Sequence, residues 1–191
     1  MKNFIVASCL ALSTLLAAPA VRAGWEIDPT HTHVSFDVSH LGLTQTPGIF
    51  RQVSGQVNYD DRNIESSSVS ISIDTASIDT AYAKRDADLR GADWFDAEKH
   101  PKITFVSKAV RKVGEQKYVI TGDLSIKGRT LPVDFTTTLT NRAINPFVKL
   151  PMVGFHGEAR VKRSAFGLSQ YPNVIGDDVN LRIALEMIQK P

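Results

Sequence analysis

Two groups of side chains in this chain have the types and spacing to do chemistry. The first lies in the stretch "RDADLRGADWFDAEKHPKITF", residues 85–105, where Arg85, Asp86, Asp88 and Arg90 crowd together. A guanidinium is a planar, permanently charged fork that suits phosphate or carbonyl oxygen, so Arg85 or Arg90 could hold an oxygen-bearing group. The alternative is a solvated face whose local ion pairs tie a short helix to its neighbours. The second group is His31 and His33, which lie two apart on an expected strand and so share a face, as two metal ligands would. Ser35, Asp37 and Ser39 continue that face, which marks it as polar exterior. No third His or Cys follows at ligand spacing, so no metal and no cofactor is expected. His40 has the opposite parity, in line with Val34, Phe36 and Val38, and is expected to point where water is scarce, either as a hydrogen-bonded core residue or against a ligand.

Signatures of catalysis are missing. There is no Gly-x-Ser-x-Gly elbow, no phosphate-cradling loop and no zinc pattern, and the only cysteine is Cys9. A binding role is expected, not an enzyme.

Cys9 itself falls in a segment that reads as an export signal. Residues 1–23 begin with Lys2, continue through the apolar "FIVASCLALSTLLAA" and end with Val21 and Ala23 at the minus-three and minus-one positions, so cleavage is expected after Ala23. The run is short for a spanning helix, which needs about 20 apolar residues. "VASC" is also similar to a lipoprotein box with Cys9 acylated, a lesser alternative. The formal net charge of +2 vanishes without this segment: Lys2 and Arg22 leave with it, and 20 basic residues face 20 acidic ones. No basic excess points to nucleic acid or an anionic surface. A domain over 24–191 with no thiol must hold together by its core alone, in a periplasm or outside the cell.

The elements that must position these residues are strands. Period-two alternation recurs at Val34, Phe36 and Val38; at Val53, Val57 and Tyr59; at Val69, Ile71 and Ile73; and from Ile103 and Phe105. It continues at Tyr118, Ile120, Leu124 and Ile126, at Leu131, Val133, Phe135 and Leu139, at Val153, Phe155, Ala159 and Val161, and at Val179 to Met187. "IKGRT" marks a hairpin turn at Gly128, and "NRAINPFVKLP" reads as a loop. Eight strands, each apolar on one face, make an antiparallel all-β domain. A sandwich and a barrel both satisfy that pattern. Phe36, Phe50, Phe105, Phe135 and Phe155 would be plain core in a sandwich. In a barrel they would line a tunnel with Val38, Val53, Ile71 and Leu124, since an eight-stranded barrel can hold one small ligand. The 85–105 stretch interrupts the strands. Asp79 or Thr80 can cap a helix over Ala81–Leu89, with Tyr82, the Arg85 stem and Leu89 on one stripe, Gly91 ending it and Pro101 returning the chain to β. Leu89, Trp94 and Phe95 must then face something apolar.

In this order the motifs resemble the YceI-like family of exported, lipocalin-like polyisoprenoid-binding proteins. The blocks are "WEIDPTHTHVSFDVSHLGL", "GIFRQVSGQV", "RDADLRGADWFDAEKHPKITF", "GDLSIKGRTLPV", "KRSAFGL" and "IGDDVNLRIALE". Departures are His33 beside His31, Trp94 where a Phe or smaller apolar residue is usual, and Ala165 where Asp is frequent. The resemblance implies an eight-stranded antiparallel lipocalin-like barrel with a short helix near its mouth. Its lumen would hold one polyisoprenoid, isoprenoid quinone or other long-chain lipid, with Phe166 added to the ligand contacts. Membrane contact would be transient, for ligand exchange, and a homodimer is compatible with it. A lipid- or quinone-modifying enzyme and a ligandless structural β-domain are the competing classes.

Overall fold

The computed structural model describes residues 24–190. The expected export signal and Cys9 lie outside the described residues. The chain forms β1 (Trp25–Ile27), β2 (His33–His40), β3 (Thr44–Phe50), β4 (Val53–Asn58), β5 (Ser68–Asp74), β6 (Ile78–Asp79), α1 (Ala83–Arg90), β7 (Lys102–Lys112), β8 (Lys117–Ile126), β9 (Arg129–Ile144), β10 (Pro151–Lys162) and β11 (Ile175–Gln189). All eleven strands join one antiparallel sheet in the order β1-β4-β5-β7-β8-β9-β10-β11-β2-β3-β6, and β1 also pairs with β11. That last pairing closes the sheet on itself, so the architecture is a barrel and the sandwich is excluded.

Eight staves build the wall, because three of them are broken. β1 and β2 share the partner β11, with Ile27 opposite Met187 and Ala184 opposite His33. β3 and β4 divide their stave between β2 and β5, and β5 and β6 divide theirs between β4 and β3. Register shifts between Ser107 and Ala109, between Gly154 and Phe155, and between Ile175 and Val179 bend the strands so that the sheet can curl.

The wall differs from the sequence expectation in several places, since β1, β3 and β6 are absent from the eight alternating runs. The alternation does not reveal β3, because Pro47 and a run of polar residues hide it; in the sheet Pro47 stands opposite Asp37. The expected loop "NRAINPFVKLP" is strand at its two ends: Arg142, Ala143 and Ile144 pair with Val153, Met152 and Pro151, which leaves residues 145–150 to turn. The β8–β9 hairpin turns as expected, through Lys127 (φ 48°) and Gly128 (φ 73°), the two left-handed positions of a tight hairpin.

Inward-facing residues form two apolar clusters, one toward the α1 end of the barrel and one toward the other. Phe50, Ile71, Ile78, Phe105, Leu124 and Phe166 belong to the first. Tyr59, Tyr118, Leu139, Val153 and Met187 form the second. The outer face is polar but not everywhere solvated. Asp37, expected to face water, is buried: Arg182 lies 2.5 Å from its Oδ2 and the Asn180 amide donates to its Oδ1 at 2.7 Å.

Candidate functional site

A cavity of about 730 Å³ runs the length of the barrel, from Trp94 and Tyr171 at one end to Tyr59, Ile64 and Met187 at the other. Its wall follows from parity. Along β2 the inner residues Val34, Phe36 and Val38 line it, and Leu181, Ile183 and Leu185 do so along β11. Aromatic rings set its width. Phe36 packs on Phe50 with centroids 5.8 Å apart, and Phe105 meets Phe135 edge-on at 5.0 Å. Gly48 makes room for this packing: a Cβ there would stand 2.2 Å from Cζ of Phe36.

One end is closed by aromatics. Tyr59 sits edge-on between Trp25 at 5.1 Å and Phe155 at 5.7 Å, and its hydroxyl accepts from Arg142 at 3.0 Å. Burial raises the pKa of this phenol above its usual value, against the opposing pull of Arg142.

The other end carries α1 and the charged lining residues Arg85, Asp88, Asp93 and Arg163. Neither Asp79 nor Thr80 caps the helix; Tyr82 is its N-cap residue and makes no side-chain cap bond. Asp86 works in reverse instead. Its buried carboxylate accepts from the Thr80 backbone N–H at 2.8 Å and from the Thr80 hydroxyl at 2.5 Å. Arg85 then donates to the Thr80 hydroxyl at 2.7 Å and the Thr80 carbonyl at 2.8 Å. Just before the helix, the Asp79 carboxylate accepts from the Ala81 N–H at 2.8 Å and pairs with Arg51, and these contacts lower its pKa, the backbone hydrogen bond most. Tyr82 was expected to pack on the sheet but is 58% exposed, with Arg85 over its ring at 5.7 Å. The turns after α1 aim inward. Phe95 meets Phe50 edge-on, and Trp94 stacks on Tyr171 at 6.3 Å.

Of the residues singled out from sequence, Phe36, Val38, His40, Phe50, Ile71, Arg85, Leu89, Trp94, Phe95, Phe105, Leu124, Phe135, Phe155 and Phe166 line this cavity. Val53 does not; it is half-buried and packs against the apolar cluster. Arg90 does not either. Its guanidinium donates to the Ala76 carbonyl at 2.7 Å and the Ile78 carbonyl at 2.8 Å, so it braces α1 against the wall. His40 lines the cavity but is exposed, because it is the last residue of β2 and stands at the rim.

Sequence reasoning missed Arg163 as a site residue. It is buried, lines the cavity, and lies 5.9 Å from the Trp94 ring centroid. Its donors all meet carbonyls: Gly176 at 2.9 Å, Ile175 at 2.9 Å, and Leu168. Burial pulls its pKa down from the usual guanidinium value, and the nearby Asp177 charge opposes that. "KRSAF" offered only a basic pair beside a strand end, so nothing local marked this arginine as buried.

Outside the lumen, His31 is not on β2 as its spacing from His33 suggested. It lies in the turn after β1, where its Nδ1 is 2.9 Å from Asp28 Oδ2. The Thr30 hydroxyl, together with His31, holds the Asp28 carboxyl at about 2, and Asp28 in turn raises the pKa of His31.

A family model described as a YceI-like domain matches residues 25–187. The chain is 32% identical to Protein YceI of Escherichia coli O157:H7 over 192 residues, which span 100% of both chains. Among solved structures, Burkholderia cenocepacia BcnA superposes with a TM-score of 0.77 at 30% identity, covering 84% of this chain and 99% of that one. A polyisoprenoid binding domain from Saccharophagus degradans, implicated in plant cell wall breakdown, shares the fold with a TM-score of 0.68 at 14% identity, covering 89% of this chain and 100% of that one.

Proposed function

Because the chain belongs to the YceI-like domain family, we propose that it is an exported binding protein that carries or sequesters one long apolar lipid, of polyisoprenoid, isoprenoid-quinone or fatty-acid-like type, in its lumen. The observation that carries this reading is the continuous, mainly apolar cavity of about 730 Å³, with Arg85, Asp88, Asp93 and Arg163 in its lining at the α1 end. Such a shape fits a long chain with one polar terminus. Burying a CH₂ stabilises by about 0.8 kcal/mol, so a dozen carbons supply roughly 10 kcal/mol before the several lost to association. A longer enclosed chain is therefore favoured over a short one. The polyisoprenoid-binding neighbour from Saccharophagus degradans agrees in fold.

The reading includes the periplasm as the working compartment, reached through the signal at residues 1–23. It also includes brief contact with a lipid surface for ligand exchange. Leu41 and Leu43 in the β2–β3 hairpin, with Tyr171 and Val174, are exposed around the same mouth. They are tied together where the Leu41 N–H donates to the Val174 carbonyl at 2.7 Å.

Native mass spectrometry of freshly purified protein tests the proposal. One lipid per chain is expected on wild type, and its loss on Leu181→Trp, which fills the lumen from β11. A wild-type protein that carries no lipid, or a filled lumen that retains it at equal occupancy, would sink the reading.

A further inference from the structure

On the outer wall of the barrel, away from the lumen, the turn after β1, β2 and β10 bring His31, His33 and His156 around one notch beside β11. Ala184 on β11 stands opposite His33 on β2 and opposite His156 on β10. Two residues along, Glu186 stands opposite Gly154. The floor of the notch is thus Gly154 and Ala184, which contribute no more than a methyl group. Its walls are His31, His33, His156, Glu186 and Thr140, around about 210 Å³ of space. The space is kept open by chain packing: a Cβ on Gly154 would meet the Thr140 hydroxyl at 2.7 Å.

Ligating atoms already converge at one side of it. One oxygen or ring nitrogen from each of Asp28, His31 and Glu186 lies within 4.8 Å of the others. Asp28 is fixed in position, because its Oδ1 accepts from the Thr30 N–H at 2.8 Å and from the Thr30 hydroxyl at 2.6 Å, which leaves Oδ2 for His31. Glu186 Oε2 stands 3.9 Å from His31 Nδ1 on a side chain that is 41% exposed. Ligand atoms on a tetrahedral ion with bonds of about 2.0–2.1 Å lie roughly 3.4 Å apart, so a small rotation of Glu186 completes a three-ligand set. His33 and His156 are each diagonal to Glu186, a spacing of about 7–8 Å between strands that long or ring side chains bridge.

We propose that this notch is a binding site for one divalent first-row transition-metal ion of the zinc or copper class, held by Asp28, His31 and Glu186 and completed by His33 or His156. Imidazole with carboxylate is a donor set that suits these ions and not magnesium or calcium, which take all-oxygen shells. The Thr30 hydrogen bonds play the part of the outer contacts that orient a ligating carboxylate. Neither the sequence spacing nor a lumenal ligand is involved, so the site stands independently of what the barrel carries.

The test uses untagged protein stripped with a chelator and titrated calorimetrically with Zn²⁺, Cu²⁺ and Mg²⁺ in separate runs. One equivalent of Zn²⁺ or Cu²⁺ is expected to bind, with no saturable Mg²⁺ binding. His31→Gln and Glu186→Gln should each weaken the site at least tenfold, and the double variant should abolish it, while circular dichroism and thermal unfolding of the metal-free variants match the wild type and report an intact fold. Of His33→Gln and His156→Gln, the one that weakens binding identifies the fourth ligand. No stoichiometric binding to wild type, or binding that survives in a folded double variant, overturns the proposal.

Discussion

The ring of Phe95 meets the ring of Phe50 edge-on, with centroids 6.1 Å apart and planes at 88°, and so joins the turn after α1 to the barrel wall. Both rings line the lumen. The insert is therefore part of the cavity and not an appendage beside it. Removing Phe95 by Phe95→Ala should shorten or weaken the retained lipid. Full burial of such a ring would make the loss about 3–5 kcal/mol of stability; Phe95 is only half-buried, so a smaller cost and a folded variant are expected. Equal lipid occupancy and chain length in wild type and folded variant would reduce the insert to a structural brace.

Arg163 should matter twice. Arg163→Met keeps most of the volume but leaves the carbonyls of Gly176, Leu168 and Ile175 without their donor. An unsatisfied buried polar group costs about 1–3 kcal/mol, so denaturant unfolding should show a loss of at least that size. Arg163→Lys should recover only part of it, since a compact ammonium cannot reproduce the fork. The class of lipid head group recovered from the Lys variant should also change if the cation at the α1 end contributes to head-group choice.

Gly48 is a steric requirement, not a turn. Gly48→Ala places a methyl group against the Phe36 ring, which must leave its position in the lumen. Overpacking of this kind costs about 1–3 kcal/mol. Combining it with Phe36→Leu should recover stability, measured by thermal unfolding, because the clash partner has gone. A double variant no more stable than Gly48→Ala alone would refute the close-approach argument.

Acid should loosen the base of α1. Asp79 has its pKa lowered, chiefly by the Ala81 N–H and then by Arg51. A depressed carboxylate contributes stability that is complete above its ordinary value of 3.8 and is lost as pH falls through the lowered one. Amide exchange at Ala81, whose N–H donates to Asp79, should therefore show protection that is steady from neutral pH down to the ordinary carboxylate range and falls below it. Asp79→Asn should flatten that dependence.

The alternation of apolar residues determined where most strands lie and which face of each turns inward. That is why the sequence alone places Phe36, Ile71, Phe105, Phe135 and Phe155 against an apolar interior, and why the 85–105 stretch reads as an interruption. A strand's side-chain period is a local property of the chain, so it is legible from neighbours in sequence. Closure is not local. Whether the eight staves stack as two layers or curl into one wall depended on Trp25–Ile27 reaching Met187–Gln189, a contact between the two ends of the domain. The same limit explains the residues that were misplaced or missed. Arg90 reads from sequence as a mouth arginine and Arg163 as nothing in particular, and only the carbonyls that tertiary folding set around them decided that the first braces a helix while the second is buried at the cavity. His31 and His33 lacked a third partner in the sequence because His156 and Glu186 lie more than a hundred positions away, and strand pairing alone brings them to the same notch.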